Sequence, residues 1–446
     1  MHVPNWINRL IARLKLNLWL LPAVMALAAV LLAALSVQFD YIIATEITDP
    51  DLFLLNTPAG ARDVLSTIAS SMIAVAGTVF SITMVVLSLT SQQHGPLTLR
   101  NFLSDRGNQF VLGMFTSTFI YCLLVLRTVR DDGAEAAFVP YTSGIIALIL
   151  AIISLAVLIY FIHHVSSSIQ ATSIVERSNQ AINGVIDDYY PDPIGVKAAQ
   201  LDIVTDEDNL DAQLDPRNPK TYEIPAKHDG YIQAVDYDRL LALSKDHDLT
   251  IKLYHRVGTF VIERSSLAIV CPVEKLDDEF VSTFNACFTI GRQRTHAQDL
   301  AFTMNQLVQM AARALSPAMN DPFTAMMVID YLGAALARLG GREIHDGYYH
   351  REGKLRLITD EYSYDHLIRI AFDEIRIGAR ENPRVTAYLL RTIAMVIECV
   401  TSTERRAALN DYTILIYEQS KEHLETSSDF HEVEHAFYRV RDEVLE

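Results

Sequence analysis

Hydroxyl-bearing and small side chains recur along one apolar stretch: Thr67, Ser71, Ala74, Thr78, Ser81, Val85 and Ser88 follow one another at intervals of three or four. That spacing keeps side chains on one face of a helix. Inside a membrane such a stripe allows two chemistries. Hydroxyl oxygens can line a wet pathway and partly replace the hydration shell of an ion. Alternatively, small side chains let helices approach closely while each hydroxyl bonds back to its own helix. Both readings expect protein to cover this face, at a shared axis if the chain forms a homo-oligomer.

Four other groups of residues have types that carry chemistry. In Gly291-Arg292-Gln293-Arg294-Thr295-His296, the guanidiniums of Arg292 and Arg294 suit a phosphate or carboxylate, or else they balance nearby acids, with Thr295 and Gln298 forming a capping box. Asn320-Asp321-Pro322 reads as an acidic N-cap with proline at the first helical position, or as part of a ligand-binding elbow. His163 and His164 close an apolar run, where partial burial could tune an imidazole to sense pH or polar residues could mark the membrane boundary. His431, Glu432 and His435 spell HEVEH, the zinc-protease spacing. Glu434 puts a charge where such helices are apolar, so an exposed, capped helix is expected there without metal.

Composition excludes several function classes. The net charge is −17, and it is unevenly placed: residues 1–170 hold eight Lys/Arg against nine Asp/Glu, residues 171–446 hold 29 against 45. An acidic second half repels nucleic acid and anionic headgroups, so no nucleic-acid partner is expected. Cys122, Cys271, Cys287 and Cys399 show no paired spacing and read as reduced thiols. No Walker, dinucleotide or nucleophile-elbow pattern is present, and no cofactor is expected.

The elements that must position these residues begin with four apolar stretches of about twenty residues, the length a helix needs to cross the hydrocarbon core. They run near Leu18 to Phe39, Val64 to Thr90, Phe110 to Val129 and Ser143 to Val165. Arg9, Arg13 and Lys15 precede the first, and Arg100 and Arg106 separate the second from the third. The loop after the first holds Asp40, Glu46, Asp49, Asp51 and Asp63 against Arg62. Basic flanks stay in the cytoplasm, which puts both termini inside a bacterial inner membrane. Arg127 and Arg130 break this rule. Arg127 fits either snorkelling toward headgroups or a charge that neutralises a carboxylate or attracts anions.

The expected fold class is membrane α-helical, with four transmembrane helices, followed by a cytosolic α+β domain made of a small β-rich module and a C-terminal helical bundle. The boundaries are 1–170 for the membrane part, 171–220 for a helical exit and acidic linker, 221–290 for the β-rich module and 291–446 for the helices. Strands are expected at Tyr222 to Pro225, Gly230 to Val235, Leu249 to His255 and Thr259 to Ile262, with a helix near Tyr237 to Lys245. The Asp346-Gly347 pair predicts a hairpin turn whose return strand is Lys354 to Ile358.

Three segments, Gly77 to Arg127, His228 to Leu253 and Arg313 to Ala325, closely resemble a bacterial membrane-protein family known as domain of unknown function 2254. The resemblance covers nearly the whole chain and implies four spans and a cytosolic domain, with no catalytic residues to carry over. The functional expectation is a homo-oligomeric channel or transport-like protein in the lipid bilayer, its second span on the pathway and its cytosolic domain mediating assembly or gating. The alternative is a non-conducting, membrane-anchored scaffold or sensor that binds a partner or small ligand. Neither reading identifies the ion or ligand.

Overall fold

The computed structural model describes residues 20–43, 57–94, 105–130, 138–168, 170–190, 214–273, 277–424 and 427–445. Arg9, Arg13, Lys15, Arg100, the acidic residues Glu46, Asp49 and Asp51, and the linker through residue 213 lie outside them. The chain divides into two units, Met1–Ile174 and Val175–Glu446.

The first unit holds four helices: α1 (Leu20–Ile43), α2 (Pro58–His94), α3 (Arg106–Leu126) and α4 (Tyr141–Ser168). Helix α3 touches the other three. Its centrality follows from its small and polar residues: Asn108, Gln109, Gly113, Ser117 and Thr118 are all buried. A Cβ at Gly113 would meet Pro22 Cα at 3.2 Å and Met25 Sδ at 2.5 Å, so α1 and α3 approach closely only because this position is glycine. Apolar clusters join Ala76, Val79, Val111, Phe115 and Phe161 in one region, and Ala29, Ala33, Leu65, Ala69, Tyr121 and Ala147 in another.

Polar contacts fix how these helices are arranged. Asp40, near the end of α1, accepts from Thr142 N–H (2.8 Å), Ser143 N–H (2.9 Å) and the Ser143 hydroxyl (2.5 Å). A carboxylate at the first turn of α4 satisfies amides that have no partner within the helix. The Tyr121 hydroxyl donates to the Ser143 carbonyl (3.1 Å) and pairs with the Ser36 hydroxyl (3.0 Å), tying α3 to the same place.

The second unit opens with α5 (Ala171–Tyr189), whose first residues precede the unit boundary. It continues through β1 (Tyr222–Pro225), β2 (Gly230–Val235), α6 (Tyr237–Asp246), β3 (Thr250–Leu253), β4 (Phe260–Val261), β5 (Ser266–Cys271), α7 (Asp278–Ala286) and β6 (Phe288–Gly291). After α8 (Leu300–Ala314) and α9 (Pro322–Gly340) come β7 (Tyr348–Arg351) and β8 (Lys354–Ile358). The chain then runs through α10 (Tyr364–Ala379), α11 (Pro383–Cys399), α12 (Thr403–His423) and α13 (Ser427–Leu445).

Two sheets result, one in the order β1-β5-β3-β8-β7 and one in the order β4-β2-β6. All pairs are antiparallel except β3 with β8. The larger sheet takes two strands from beyond α9, so it is not contiguous in sequence. The β7–β8 hairpin turns at Glu352-Gly353, where φ is +55° and +74°, rather than at Asp346-Gly347, which precedes β7. Both central residues of such a two-residue turn need positive φ.

Helix starts in this unit share one chemistry. Asp236, Asp277, Asp299, Asp321, Ser363, Asn382 and Ser402 each accept a backbone N–H with the side chain at an N-terminus. The helical core is aliphatic and aromatic, with Leu307, Leu332, Leu336, Ile368, Phe372, Leu390 and Ile393 fully buried.

Among the described residues five helices are long and apolar enough to cross a membrane, namely α1 to α4 and α9. Helix α9 differs from the rest in its surroundings. It packs on α8, α10 and α11, and its Asp330 carboxylate accepts from the Tyr388 hydroxyl (2.9 Å).

Candidate functional site

The hydroxyl stripe of α2 is exposed at every position: Thr67, Ser71, Ala74, Thr78, Ser81, Val85 and Ser88. The face of α2 that packs inside the unit carries Ala61, Leu65, Ala69, Ala76, Val79 and Val86 instead. At 3.6 residues per turn the two sets point in roughly opposite directions. Thr67, Ser71 and Thr78 donate to the carbonyls of Asp63 (2.7 Å), Thr67 (2.7 Å) and Ala74 (3.1 Å), so these hydroxyls are satisfied within their own helix.

Of the two histidines ending α4, His164 pairs through Nε2 with Asp105 Oδ2 (3.0 Å) and stacks on Tyr160, while His163 is exposed. Asp105 also caps α3 by accepting from Gly107 N–H (2.7 Å), so the His164 contact joins α3 and α4. Arg127 is the exposed C-terminal cap of α3.

In the second unit the other candidates separate. Arg294 forms two parallel hydrogen bonds to Asp299, Nε to Oδ2 and Nη2 to Oδ1, both 2.8 Å, whereas Arg292 is exposed. Asp299 begins α8, in place of the Thr295–Gln298 capping box. Asn320, at φ +46°, and Asp321 follow the far end of that fifteen-residue helix, roughly 20 Å away by its rise per residue. Asp321 accepts from Thr324 N–H (3.2 Å) and from the Thr324 hydroxyl (2.5 Å), which is an N-cap. The arginines and the Asn320-Asp321 pair do not share a site. In α13, Val433, Ala436, Phe437 and Val440 are buried, leaving His431 and His435 exposed. Glu432 pairs with Arg391 and His431 with Glu434. No group of three metal-ligating side chains converges among the described residues.

A cavity of about 100 Å³ in the second unit brings together residues that sequence reasoning did not single out. Its aromatic walls are Tyr189, Tyr190, Tyr237, Tyr349, Tyr362 and His345, and its charged residues are Arg256, Asp299, Asp360 and Glu361. They come from the end of α5, the start of α6, the loops after β3 and before α8, strand β7 with the loop before it, and the segment between β8 and α10. His345 stacks on Tyr349 at 3.9 Å and 8°, and Tyr349 lies at 6.1 Å and 12° from Tyr237, making a row of three rings.

Each wall is fastened from behind. Asp187 receives Arg338 (2.5 Å) and Arg342 (2.9 Å), and Arg342 also donates to the Tyr190 carbonyl (2.9 Å), which seats the end of α5. Gln298 accepts from Val235 N–H (2.8 Å) and donates to Val235 O (3.0 Å), continuing the edge of β2. Gly258, at φ +90°, leaves room for the Arg294–Asp299 pair; a Cβ there would sit 2.1 Å from Asp299 Oδ2. Arg256 pairs with Asp360 (2.9 Å) and lies 4.2 Å from the centre of the Tyr362 ring.

Burial governs the electrostatics. It pushes the Tyr349 phenol up to about 12 and those of Tyr190 and Tyr237 higher still, and for all three the Glu361 carboxylate adds to the rise. Burial also lifts the Glu361 carboxyl above its ordinary range, while the Thr359 hydroxyl bonded to it (2.8 Å) pulls the other way. Asp299 rises from burial against the pull of Phe302 N–H and Arg294. The His345 imidazole is lowered by burial, against the upward pull of Asp346 and Glu343.

The family model described as "Predicted membrane protein (DUF2254)" matches residues 15–395. This chain belongs to the DUF2254 family. Two relatives, each named only as an uncharacterized protein, come from Mycobacterium bovis and Mycobacterium tuberculosis. Both are 32% identical over 390 residues, covering 85% of this chain and 71% of theirs. No solved structure matches. The DUF2254 match takes in all four helices of the first unit and every residue lining the cavity, whereas the HEVEH segment lies beyond it. The sequence signals for the DUF2254 cavity were the Tyr189-Tyr190 doublet and the Asp360-Glu361-Tyr362 run, which acquire meaning only once the fold joins them.

Proposed function

We propose that this membrane protein is a ligand-binding sensor anchored in the bacterial inner membrane. Its α1 to α4 cross the bilayer, both termini lie in the cytoplasm, and the second unit detects a small molecule there. The observation that carries this reading is the cavity, where five tyrosines, a histidine and a carboxylate with no salt bridge converge in one place. Small-ligand sites combine apolar walls with a few convergent polar groups and perturbed titrations in this way. The seat of Tyr189 and Tyr190 suggests a route for the signal, because α5 follows α4 after two residues. Helix α9 stays in the second unit, a reading supported by Arg338 bonding Asn183 and Asp187.

Thermal unfolding of the full-length chain in detergent against a small-metabolite library tests this. The proposal expects stabilisation by one chemical class, lost in Tyr237→Leu. A library that stabilises nothing contradicts it. For orientation, Thr45→Cys should react with an impermeant thiol reagent in intact cells, and exposed Cys399 only after permeabilisation.

The exposed stripe of α2 favours a second reading, a homo-oligomeric channel in which that face meets a partner copy or a pathway. Ion flux in liposomes for wild type and Ser81→Leu separates the two. Flux above empty vesicles that Ser81→Leu removes would favour the channel, and no flux would remove it.

A further inference from the structure

The charges around the cavity do not cancel, and what remains describes a ligand. Arg294 is held by Asp299 through two hydrogen bonds, and Arg256 by Asp360. Glu361 is left with the Thr359 hydroxyl; among the described residues no cation forms a salt bridge with it, and Arg256 acts on it only through space. It lines the cavity together with Tyr190, Tyr237 and Tyr349. A carboxylate beside stacked aromatic faces is an environment for an ammonium group, which gains from both the charge and the ring quadrupoles.

A second observation narrows the class. Arg256 Nη1 is buried and has no hydrogen-bond partner, although the same guanidinium is fixed by Asp360 and by the face of Tyr362. A buried donor left unpaired is costly, so an acceptor belongs beside it. A lone anion there would be repelled by Glu361. A lone cation would leave Nη1 unmatched. A molecule carrying both groups answers both demands.

Size sets the upper limit. A cavity of about 100 Å³ suits a metabolite of a few heavy atoms rather than a nucleotide.

We propose that this cavity binds a small organic ammonium that also carries an acceptor oxygen, the chemistry shared by amino acids and betaines. Glu361 and the tyrosine row take the ammonium, and the Arg256 guanidinium, which lines the same cavity, donates to the oxygen. The proposal rests on the second unit being a ligand-binding domain.

Isothermal titration of the full-length protein in detergent with L-alanine, glycine betaine, tetramethylammonium and acetate tests it. The expected result is binding of L-alanine or glycine betaine, with tetramethylammonium about tenfold weaker and acetate silent. Glu361→Gln should weaken that binding about tenfold or more, and Tyr237→Leu should weaken it also, each variant unfolding cooperatively without ligand. Tetramethylammonium binding as well as the zwitterions would overturn the role of Arg256. Acetate binding best, or Glu361→Gln binding unchanged, would overturn the ligand class while leaving the sensor reading intact. The same holds if none of the four binds but another class of metabolite stabilises the protein. If no class stabilises it, both fall.

Discussion

Asp187 accepts hydrogen bonds from Arg338 and Arg342 at once, which fastens the last turn of α5 to the end of α9. Tyr189 and Tyr190, two and three residues further on, line the cavity. Asp187→Ala should therefore act on the site without touching it. Removing the carboxylate takes one acceptor from each guanidinium, while Arg338 keeps Asn183 and Arg342 keeps the Tyr190 carbonyl, and should cost about 0.5–1 kcal/mol of stability, with weaker ligand binding. Asp188→Ala, one residue on, should leave both measurements near wild type. Denaturant unfolding and ligand titration check the pair.

Glu361 makes the site pH dependent. Its carboxyl is raised in the folded protein, so the native state holds a proton that the unfolded state has already released. The resulting contribution to stability is fully present below the unfolded carboxyl range and is lost as pH rises through the raised value. Glu361→Gln removes this dependence and should make the ligand-free protein more stable than wild type at neutral pH. Affinity for an ammonium ligand runs the other way, falling as the pH drops and Glu361 gains its proton. Unfolding and titration series from pH 4 to 8, with Glu361→Gln beside wild type, measure both slopes.

Asp40 holds the start of α4 through two backbone amides and one hydroxyl. Asp40→Ala should cost about 2–4 kcal/mol, since two buried donors of Ser143 and the part-buried Thr142 amide lose a charged acceptor. Asp40→Asn keeps an acceptor and should lose less. Thermal unfolding in detergent ranks the three proteins.

The two faces of α2 make opposite predictions. Ala69 is buried against neighbouring helices, so Ala69→Leu should overpack and cost about 1–3 kcal/mol. Thr78 is exposed, and Thr78→Leu should change the stability of the isolated subunit by less than about 0.5 kcal/mol. If the exposed face joins copies, Thr78→Leu should alter the subunit count measured by mass photometry.

Much of this architecture was legible in the residues. The four apolar stretches correspond to α1 to α4, although the helices run on into polar flanks. Helix α2 begins at Pro58, where the Thr57 hydroxyl accepts from Gly60 N–H (3.1 Å), six residues before its apolar part. Strands β1 and β2 fall on their expected bounds because turn residues punctuate them. Strand β5, Ser266–Cys271, was missed because its side chains are buried almost throughout and give no alternation. The hairpin turn was misplaced because Glu352-Gly353 supplies positive φ without an asparagine or aspartate signal.

The site was far less legible. Asp321 could be read as a cap because a cap is a local device. The cavity gathers residues between 189 and 362, and no spacing rule connects Tyr190 with Glu361. Arg294 stood out by its neighbour Arg292, yet its partner is Asp299, which neutralises it. On α2 the stripe itself was legible, but which face the chain covers is a matter of tertiary packing.

Native mass spectrometry of the full-length protein released from detergent, after incubation with L-alanine or glycine betaine, tests the central claim most directly. One small-molecule adduct per subunit is expected, retained in Thr78→Leu and lost in Tyr237→Leu. An adduct that survives Tyr237→Leu, or none with any small metabolite tried, would contradict it.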